Sequence, residues 1–342
     1  MKPITFVLFL IILIAIAACT GGTETPNLAQ PFIGGDKAIV LYLQEGLPPN
    51  VIYDKSKSTF GIGVAMENVG EANVGTGTDN PNVFIRLEGI NPSQFGLEKG
   101  ATMKTFKQLN ERIDGARKNF DGTIFPGQLT NVIFEPLTYA PDLKGNTQIT
   151  IRADVCYDYT TYTSTPICIK DNALESLADA TICTLTGEKF PRNSGGPVHV
   201  GSLIENPLGD DKYQISFTLE HVGVGEFFHR TELPAGMTAT ASSSSKTDGT
   251  YPCDHSVTNP DKYDVYVKVG DIEGMTINCP RIGGSQGYVK LYNGAPTVVT
   301  CTLIKTDGNV GTRAYQEILS VDLYYMYSEF IETPILIQDV TN

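Results

Sequence analysis

The chain has no tryptophan, only four histidines, and no run of lysine or arginine. Its 38 acidic and 25 basic residues give a net charge of −13 across 342 residues. A phosphate backbone would meet a repulsive average field on such a protein. We therefore expect no nucleic-acid partner.

Several sequence motifs of glycosylation, catalytic and metal sites are also missing. The sequence has no Asn-x-Ser/Thr sequon, no HExxH and no CxxC pair. The second half of the chain holds the candidate metal ligands: His221, His229, Glu232 and Cys253–His255. Their spacing matches no known ligand pattern. The sequence thus predicts a protein that is not an enzyme, with no catalytic residue, metal or cofactor.

Internal repetition is the strongest positive signal. Segments of the first half return in the same order in the second: TPICIKD (165–171) as TPILIQD (333–339), ADVCYDY (153–159) as VDLYYMY (321–327), FGIGVAMENVG (60–70) as YQISFTLEHVG (213–223), and IFPGQLTNVIF (124–134) as LYNGAPTVVTC (291–301). This repetition predicts two copies of one domain, at 36–190 and 196–342, with the boundary within Thr186 to Pro197.

Apolar residues alternate with polar ones through most of both halves, and Gly, Pro and Asn interrupt them, which indicates antiparallel sheet. About seven strands per copy predict an all-β fold of two tandem immunoglobulin-like sandwiches. One stretch departs from this pattern. Between Met103 and Ile113 apolar residues recur every three to four positions, which favours a short surface helix. Six alternating residues are expected in the core: Ile62, Val64, Met66, Ile215, Phe217 and Leu219.

The N-terminus predicts export. An apolar run from Ile4 to Ala18 would span only about 22 Å as a helix, short of the roughly 30 Å of a bilayer core. Ala17-Ala18-Cys19 closes a segment that resembles the lipobox of prokaryotic lipoproteins, in which the cysteine takes the lipid. We expect residues 1–19 to be a signal with lipidation at Cys19, and 20–35 to be a flexible tether with a reach of about 20 to 25 Å. An uncleaved short anchor and ordinary secretion are the alternatives.

Six further cysteines form an even set, which predicts disulfides in an extracytoplasmic protein. The second copy lacks the counterparts of both Cys156 and Cys168, so these two are expected to bond across a hairpin. Cys279 and Cys301 flank another strand connection and form the second predicted pair. Cys183 with Cys253 is left by elimination.

Two tyrosine pairs occupy equivalent places in the two copies, Tyr157 with Tyr159 and Tyr325 with Tyr327. Each pair shares one face of its strand. A platform for stacking sugars would use such residues, and so would a core. Their repetition favours packing, because folding is the task that both copies share.

Two strand ends, ENVGEANV (67–74) and EHVGVGEF (220–227), carry a family resemblance. The first is similar to the CARDB-type immunoglobulin-like domains of prokaryotic, often archaeal, surface proteins, whose strand ends in Asn-x-Gly. Asn68 and Gly70 match that motif, and His221 replaces the Asn in the second copy. The resemblance implies an adhesive or architectural envelope module without inherited catalytic residues.

Together these observations predict a non-enzymatic, membrane-anchored cell-surface protein with a structural, adhesive or recognition role. Its expected partners are the membrane, through the N-terminal anchor, and a surface protein or glycan. The alternative is a lipoprotein that binds a glycan or solute, through insertions around Met103 to Asp121 or Thr238 to His255. An extracytoplasmic hydrolase is the least favoured interpretation.

Overall fold

A computed structural model of the protein describes residues 30–75, 83–97, 106–109, 111–170, 173–174, 182–230, 233–234, 237, 251–306 and 314–340. Residues Phe32–Asn342 form one compact unit. Cys19, Glu232 and the stretch Thr238 to Thr250 lie outside the described residues. No helix in the described part of the chain is long and apolar enough to cross a membrane.

The fold is all-β, as predicted, with two short 3₁₀ helices at Pro280–Ile282 and Tyr292–Gly294. The strands are β1 (Ile39–Leu43), β2 (Val51–Tyr53), β3 (Phe60–Asn68), β4 (Val83–Glu88), β5 (Phe106–Leu109), β6 (Arg117–Lys118), β7 (Ile124–Phe125), β8 (Leu129–Leu137), β9 (Thr147–Ile169), β10 (Gly187–Lys189), β11 (Arg192–Asn193), β12 (Val198–Gly209), β13 (Lys212–His221), β14 (Glu226–Phe228), β15 (Asp264–Val269), β16 (Met275–Asn278), β17 (Gln286–Lys290), β18 (Thr297–Lys305) and β19 (Tyr315–Gln338).

Three main sheets form a sandwich-like arrangement. A central sheet has the order β17-β15-β19-β9-β4-β5, with β2 and β14 pairing with β19 and β11 pairing with β9. Two smaller sheets have the orders β1-β3-β8 and β10-β12-β13-β18-β16, and β6 with β7 makes a separate hairpin. One large hydrophobic core takes buried residues from all three main sheets. The predicted core residues are confirmed, since Ile62, Val64, Met66, Ile215, Phe217 and Leu219 are all buried.

The longest strand pairing among the described residues joins the two halves of the chain. Each of the 23 residues of β9 has an antiparallel partner on β19, without a register shift. The segments ADVCYDY and TPICI, which a hairpin between Cys156 and Cys168 would place on two strands, are parts of this one strand. The halves therefore meet in a single continuous sheet.

The repeated prolines, Pro166 and Pro334, lie inside this long pair without interrupting it. The Tyr162 carbonyl accepts a hydrogen bond from the Ser194 amide, and the Leu336 amide donates one to the Asn50 carbonyl. The backbone groups of Tyr162 and Leu336 therefore point away from the β9–β19 ladder. Backbone groups alternate sides along a strand, so both prolines point their nitrogens away from the β9–β19 ladder. The missing N–H groups thus cost the central pair no hydrogen bond.

Strand order is the same on both sides of the central pair. β4 and then β5 follow β9, just as β15 and then β17 follow β19. In the outer sheets β3 lies between β1 and β8, and β13 lies between β12 and β18. This is the order that a duplication predicts, and the duplication itself stays a prediction that the symmetry supports.

The predicted helix between Met103 and Ile113 is wrong for the part that the structure describes. Phe106–Leu109 is a strand that pairs with β4. Phe106 packs against a small cluster around Cys156, whereas Leu109 packs against the main core. The spacing of these two residues thus serves the two faces of a sheet edge and not one face of a helix.

All six described cysteines are in disulfides, and the predicted Cys279–Cys301 bond is confirmed. The other two predicted pairs are wrong, because the bonds are Cys156–Cys253 and Cys168–Cys183. Cys156 and Cys168 lie on the same strand, β9, at about 3.3 Å per residue, which places them roughly 40 Å apart. A disulfide needs Cα atoms within about 7 Å.

We predict unequal losses of stability from two of the disulfides. Cys156–Cys253 closes a separation of 97 residues and Cys279–Cys301 one of 22. In the chain-entropy account these loops are worth about 4.7 and about 3.4 kcal/mol. The double variant Cys156→Ser/Cys253→Ser should therefore have the lower free energy of unfolding in urea. An equal or reversed order for the matched variant Cys279→Ser/Cys301→Ser would contradict the entropic account.

Candidate functional site

Four tyrosines form a buried layer on the inner face of the central pair. Tyr157, Tyr159, Tyr325 and Tyr327 contact one another with ring centroids 6.0 to 6.5 Å apart. Each hydroxyl has a partner: Tyr157 donates to Glu329 (2.9 Å), Tyr159 donates to the Gly195 carbonyl (2.6 Å), Tyr325 bonds with Thr161 (2.7 Å), and Tyr327 accepts from the Gly225 amide (2.6 Å). The predicted packing role is confirmed, since no ring is open to stack on a sugar.

The Asn-x-Gly motif has a local structural explanation. Buried Asn68 donates from Nδ2 to the carbonyls of Ala72 (2.9 Å) and Ile113 (3.0 Å), so it fixes the turn after β3. A Cβ at Gly70 would lie 1.9 Å from the Tyr159 hydroxyl, which leaves room only for glycine. At the end of β13, which the sequence aligns with the end of β3, the ring of His221 packs against Phe227 at 5.2 Å. The turns after these two strands are thus closed differently.

A groove of about 200 Å³ opens beside the tyrosine layer, between the start of β1 and the middle of β19. Its lining residues are Asp36, Lys37, Ala38, Ile39, Val40, Leu41, Gly223, Val224, Tyr327, Glu329, Phe330 and Ile331. Val224 is 92% exposed, so its side chain stands at the rim. The charged residues that line it are Asp36 and Lys37, which precede β1, and Glu329 on β19.

Glu329 has unusual electrostatics for a carboxyl. Burial raises its pKa to about 7, although the hydrogen bond from Tyr157 and the charge of Lys37 both act to lower it. The carboxyl therefore changes charge near neutral pH. A second carboxyl, Glu205, has its pKa raised by burial to about 7 despite accepting the Cys168 amide and pairing with Lys189 at 3.1 Å.

A chain of three side chains on the outer face of the central sheet has the order of a catalytic triad. His255 Nδ1 lies 2.5 Å from Glu226 Oε2, and His255 Nε2 lies 3.3 Å from Ser328 Oγ. Lys262 Nζ contacts the other Glu226 oxygen at 2.7 Å. Hydroxyl, imidazole and carboxylate in this sequence form the arrangement that activates a serine nucleophile.

The burial of Ser328 argues against its use as a nucleophile. Ser328 is only 1% exposed and lies within the regular strand β19, between its partners on β9 and β14. A nucleophile must reach its substrate, and a strained, exposed turn usually presents it. The chain of hydrogen bonds instead ties the segment around His255 to the sheet, close to the Cys156–Cys253 disulfide.

The same outer face buries an ion pair. Arg230 is 1% exposed, its Nε lies 3.7 Å from Asp158, and it donates to Thr160 at 3.3 Å. Tyr288 donates to the Arg230 carbonyl at 2.6 Å and stacks on His229 at 3.9 Å. These contacts hold His229 and Arg230 against the central sheet. No sequence motif indicates them, because their members come from distant parts of the chain.

The metal candidates considered from the sequence do not gather. Cys253 is in a disulfide, His229 bonds Asp264 at 2.9 Å, and His255 bonds Glu226. His221 has its pKa lowered by burial and packs among aromatic rings.

Within the described ranges, three acidic residues do approach one another: ligand atoms of Asp54, Asp142 and Asp339 lie within 4.8 Å. Asp54 is buried, which raises its pKa, but two backbone amides, from Val340 and Leu143, outweigh burial and lower it. Both of its oxygens are engaged by those amides at 2.9 Å. This group therefore fastens the C-terminal segment to the body.

We predict a pH effect at the groove. Glu329 has a folded pKa near 7 against about 4.5 unfolded, so its contribution is fully present below pH 4.5 and is lost as the pH rises to 7. The change in free energy of unfolding caused by Glu329→Gln, variant minus native protein, should be more positive at pH 8 than at pH 4. The difference between the two pH values should be on the order of 1 to 3 kcal/mol. Exposed Glu332 supplies the control Glu332→Gln, which should show no such trend. Identical pH curves for the two variants would exclude a buried, destabilising carboxylate at 329.

We also predict that the hydroxyl of Ser328 is unreactive. A fluorophosphonate probe, which labels activated serines, should leave the native protein unmodified, because Oγ is closed to solvent. Labelling that is lost in Ser328→Ala and in His255→Ala, but retained in the exposed control Ser256→Ala, would establish a working triad and contradict this expectation.

Comparison with known proteins adds no relative. No protein-family model matches the chain, and no curated protein matches it significantly.

Proposed function

We propose that the chain is a non-enzymatic, membrane-tethered protein of the cell surface with an architectural or recognition role. The observation that carries this proposal is the full-length pairing of β9 with β19. A strand of 23 residues has a path of about 75 Å at 3.3 Å per residue. Both halves are built outward from this one ladder, which makes a stiff body.

The disulfides support a place outside the cytoplasm. The structure contains three of them, all within the chain, and such bonds persist in oxidising compartments. Cys156 joins β9 to Cys253, and Cys168 joins β9 to Cys183, both of which lie outside the strands. The bonds therefore fix the chain around Cys183 and Cys253 onto the stiff body. Stiffness and resistance to opening are properties that envelope architecture needs.

The groove supports recognition on a surface more than capture of a solute. Its volume of about 200 Å³ lies below the range of about 300 to 1,000 Å³ that is typical of small-molecule sites. The tyrosines that could have stacked a sugar are buried, and the triad-like chain at Ser328 is closed. Glycan or solute capture and hydrolysis are therefore the weaker alternatives.

The tether part of the proposal rests on the sequence, in particular on Cys19. Cys19→Ser should move the mature protein from the detergent phase to the aqueous phase on Triton X-114 partition of cells, because a lipid chain anchors by burying its methylene groups. Intact-mass analysis should show a diacylglycerol-type addition in the native protein alone. Thr20→Ser is the matched control and should keep both properties.

Two other outcomes decide between the alternatives. A Cys19→Ser protein that stays in the detergent phase with its apolar segment uncleaved would replace lipidation by a retained anchor. Native protein found in the aqueous phase without any addition would contradict tethering and indicate plain secretion.

A further inference from the structure

The hairpin of β6 and β7 exposes an unusual amount of apolar surface. Phe120 at its tip is 104% exposed, Ile124 and Phe125 on β7 are 54% and 51% exposed, and Leu129, which opens β8, is 62% exposed. Single apolar residues on a surface are ordinary, but four within ten positions form a patch that marks an interaction site.

Two basic residues lie directly across the hairpin from this apolar strand. Arg117 pairs with Phe125, and Lys118 pairs with Ile124. Residues in such pairs share a face of the ladder, so each cation stands beside an apolar side chain. Asp121 at the tip offsets one of these two cations, so residues 117–125 carry a net charge of about +1 on a protein whose net charge is −13.

We propose that this hairpin tip contacts the lipid surface to which the chain is tethered. Apolar tips enter the boundary between headgroups and acyl chains, and aromatic rings are favoured at that depth. Lysine and arginine beside them face anionic headgroups. The inference rests on the proposed membrane tether and goes further, because it assigns the face of the body that lies on the membrane.

The position of the hairpin agrees with this assignment. Its base is held where the amide of Ala116 donates to the Gly70 carbonyl at 2.7 Å. The neighbouring Glu71 accepts the amides of Ile33 (2.9 Å) and Gly34 (3.1 Å), so the last residues of the segment predicted as a flexible tether are bonded to the body. The chain therefore enters the body beside the root of the hairpin.

The second half of the chain offers a comparison. Ile124 and Phe125 correspond to Leu291 and Tyr292 in the repeat. Leu291 is buried, and Tyr292 opens a short 3₁₀ helix in place of a hairpin strand. The apolar tip is thus confined to the half that follows the tether.

The absence of tryptophan provides a direct test, since one substitution introduces a single fluorescent reporter. Full-length Phe120→Trp is reconstituted into vesicles of phosphatidylcholine with phosphatidylglycerol. Its emission should shift to shorter wavelength than in detergent-free buffer, and brominated acyl chains should quench it. Tyr292→Trp, 72% exposed in the native chain, is the matched control and should show neither effect.

Each other result overturns the inference in a recognisable way. Phe120→Trp emission equal to that of the control, in protein that floats with the vesicles, would remove the lipid contact and leave the tether intact. Protein that fails to float would remove the tether and the contact together. A shift that depends on protein concentration without lipid would make a second copy of the chain the occupant.

Discussion

The pairing of β9 with β19 is the constraint on which the rest of the structure depends. The other strands of the central sheet attach to this ladder, and the two smaller main sheets share one hydrophobic core with it. The inner face buries the tyrosine layer, and the outer face buries Asp158, Thr160 and Ser328. A one-residue slip would exchange these faces, so apolar burial on one side and paired polar groups on the other jointly fix the register.

The outer face shows why a polar surface can be buried in this protein. Arg230 offsets Asp158, His255 links Ser328 to Glu226, and the Cys156–Cys253 bond holds the chain two residues before His255. A buried charge without its partner would be costly. The disulfide therefore does more than restrict the unfolded chain, because it also keeps His255 beside Ser328.

Much of this fold was predictable from the sequence, and the failures have physical causes. Period-two alternation correctly identified the core side of β3 and β13, because one face of each is buried. The cysteine pairing failed at Cys156 because alternation alone does not reveal that two apolar runs form one uninterrupted strand. Helical spacing failed at Phe106, where a sheet edge contacts different clusters on its two faces. The groove and the His255 chain were beyond prediction, since their residues meet only through long-range pairing.

The symmetry of the central ladder has a consequence for the origin of the molecule. In the register of the pair, Asp158 faces Met326, and these two residues are each other's counterparts in the repeat. They lie where a two-fold axis would cross the sheet. In a homodimer of single copies, a residue on that axis would meet itself, and two buried aspartates would repel. If the predicted duplication is correct, joining the copies in one polypeptide lifts that identity, so one half can hold a carboxylate that the other half covers with arginine.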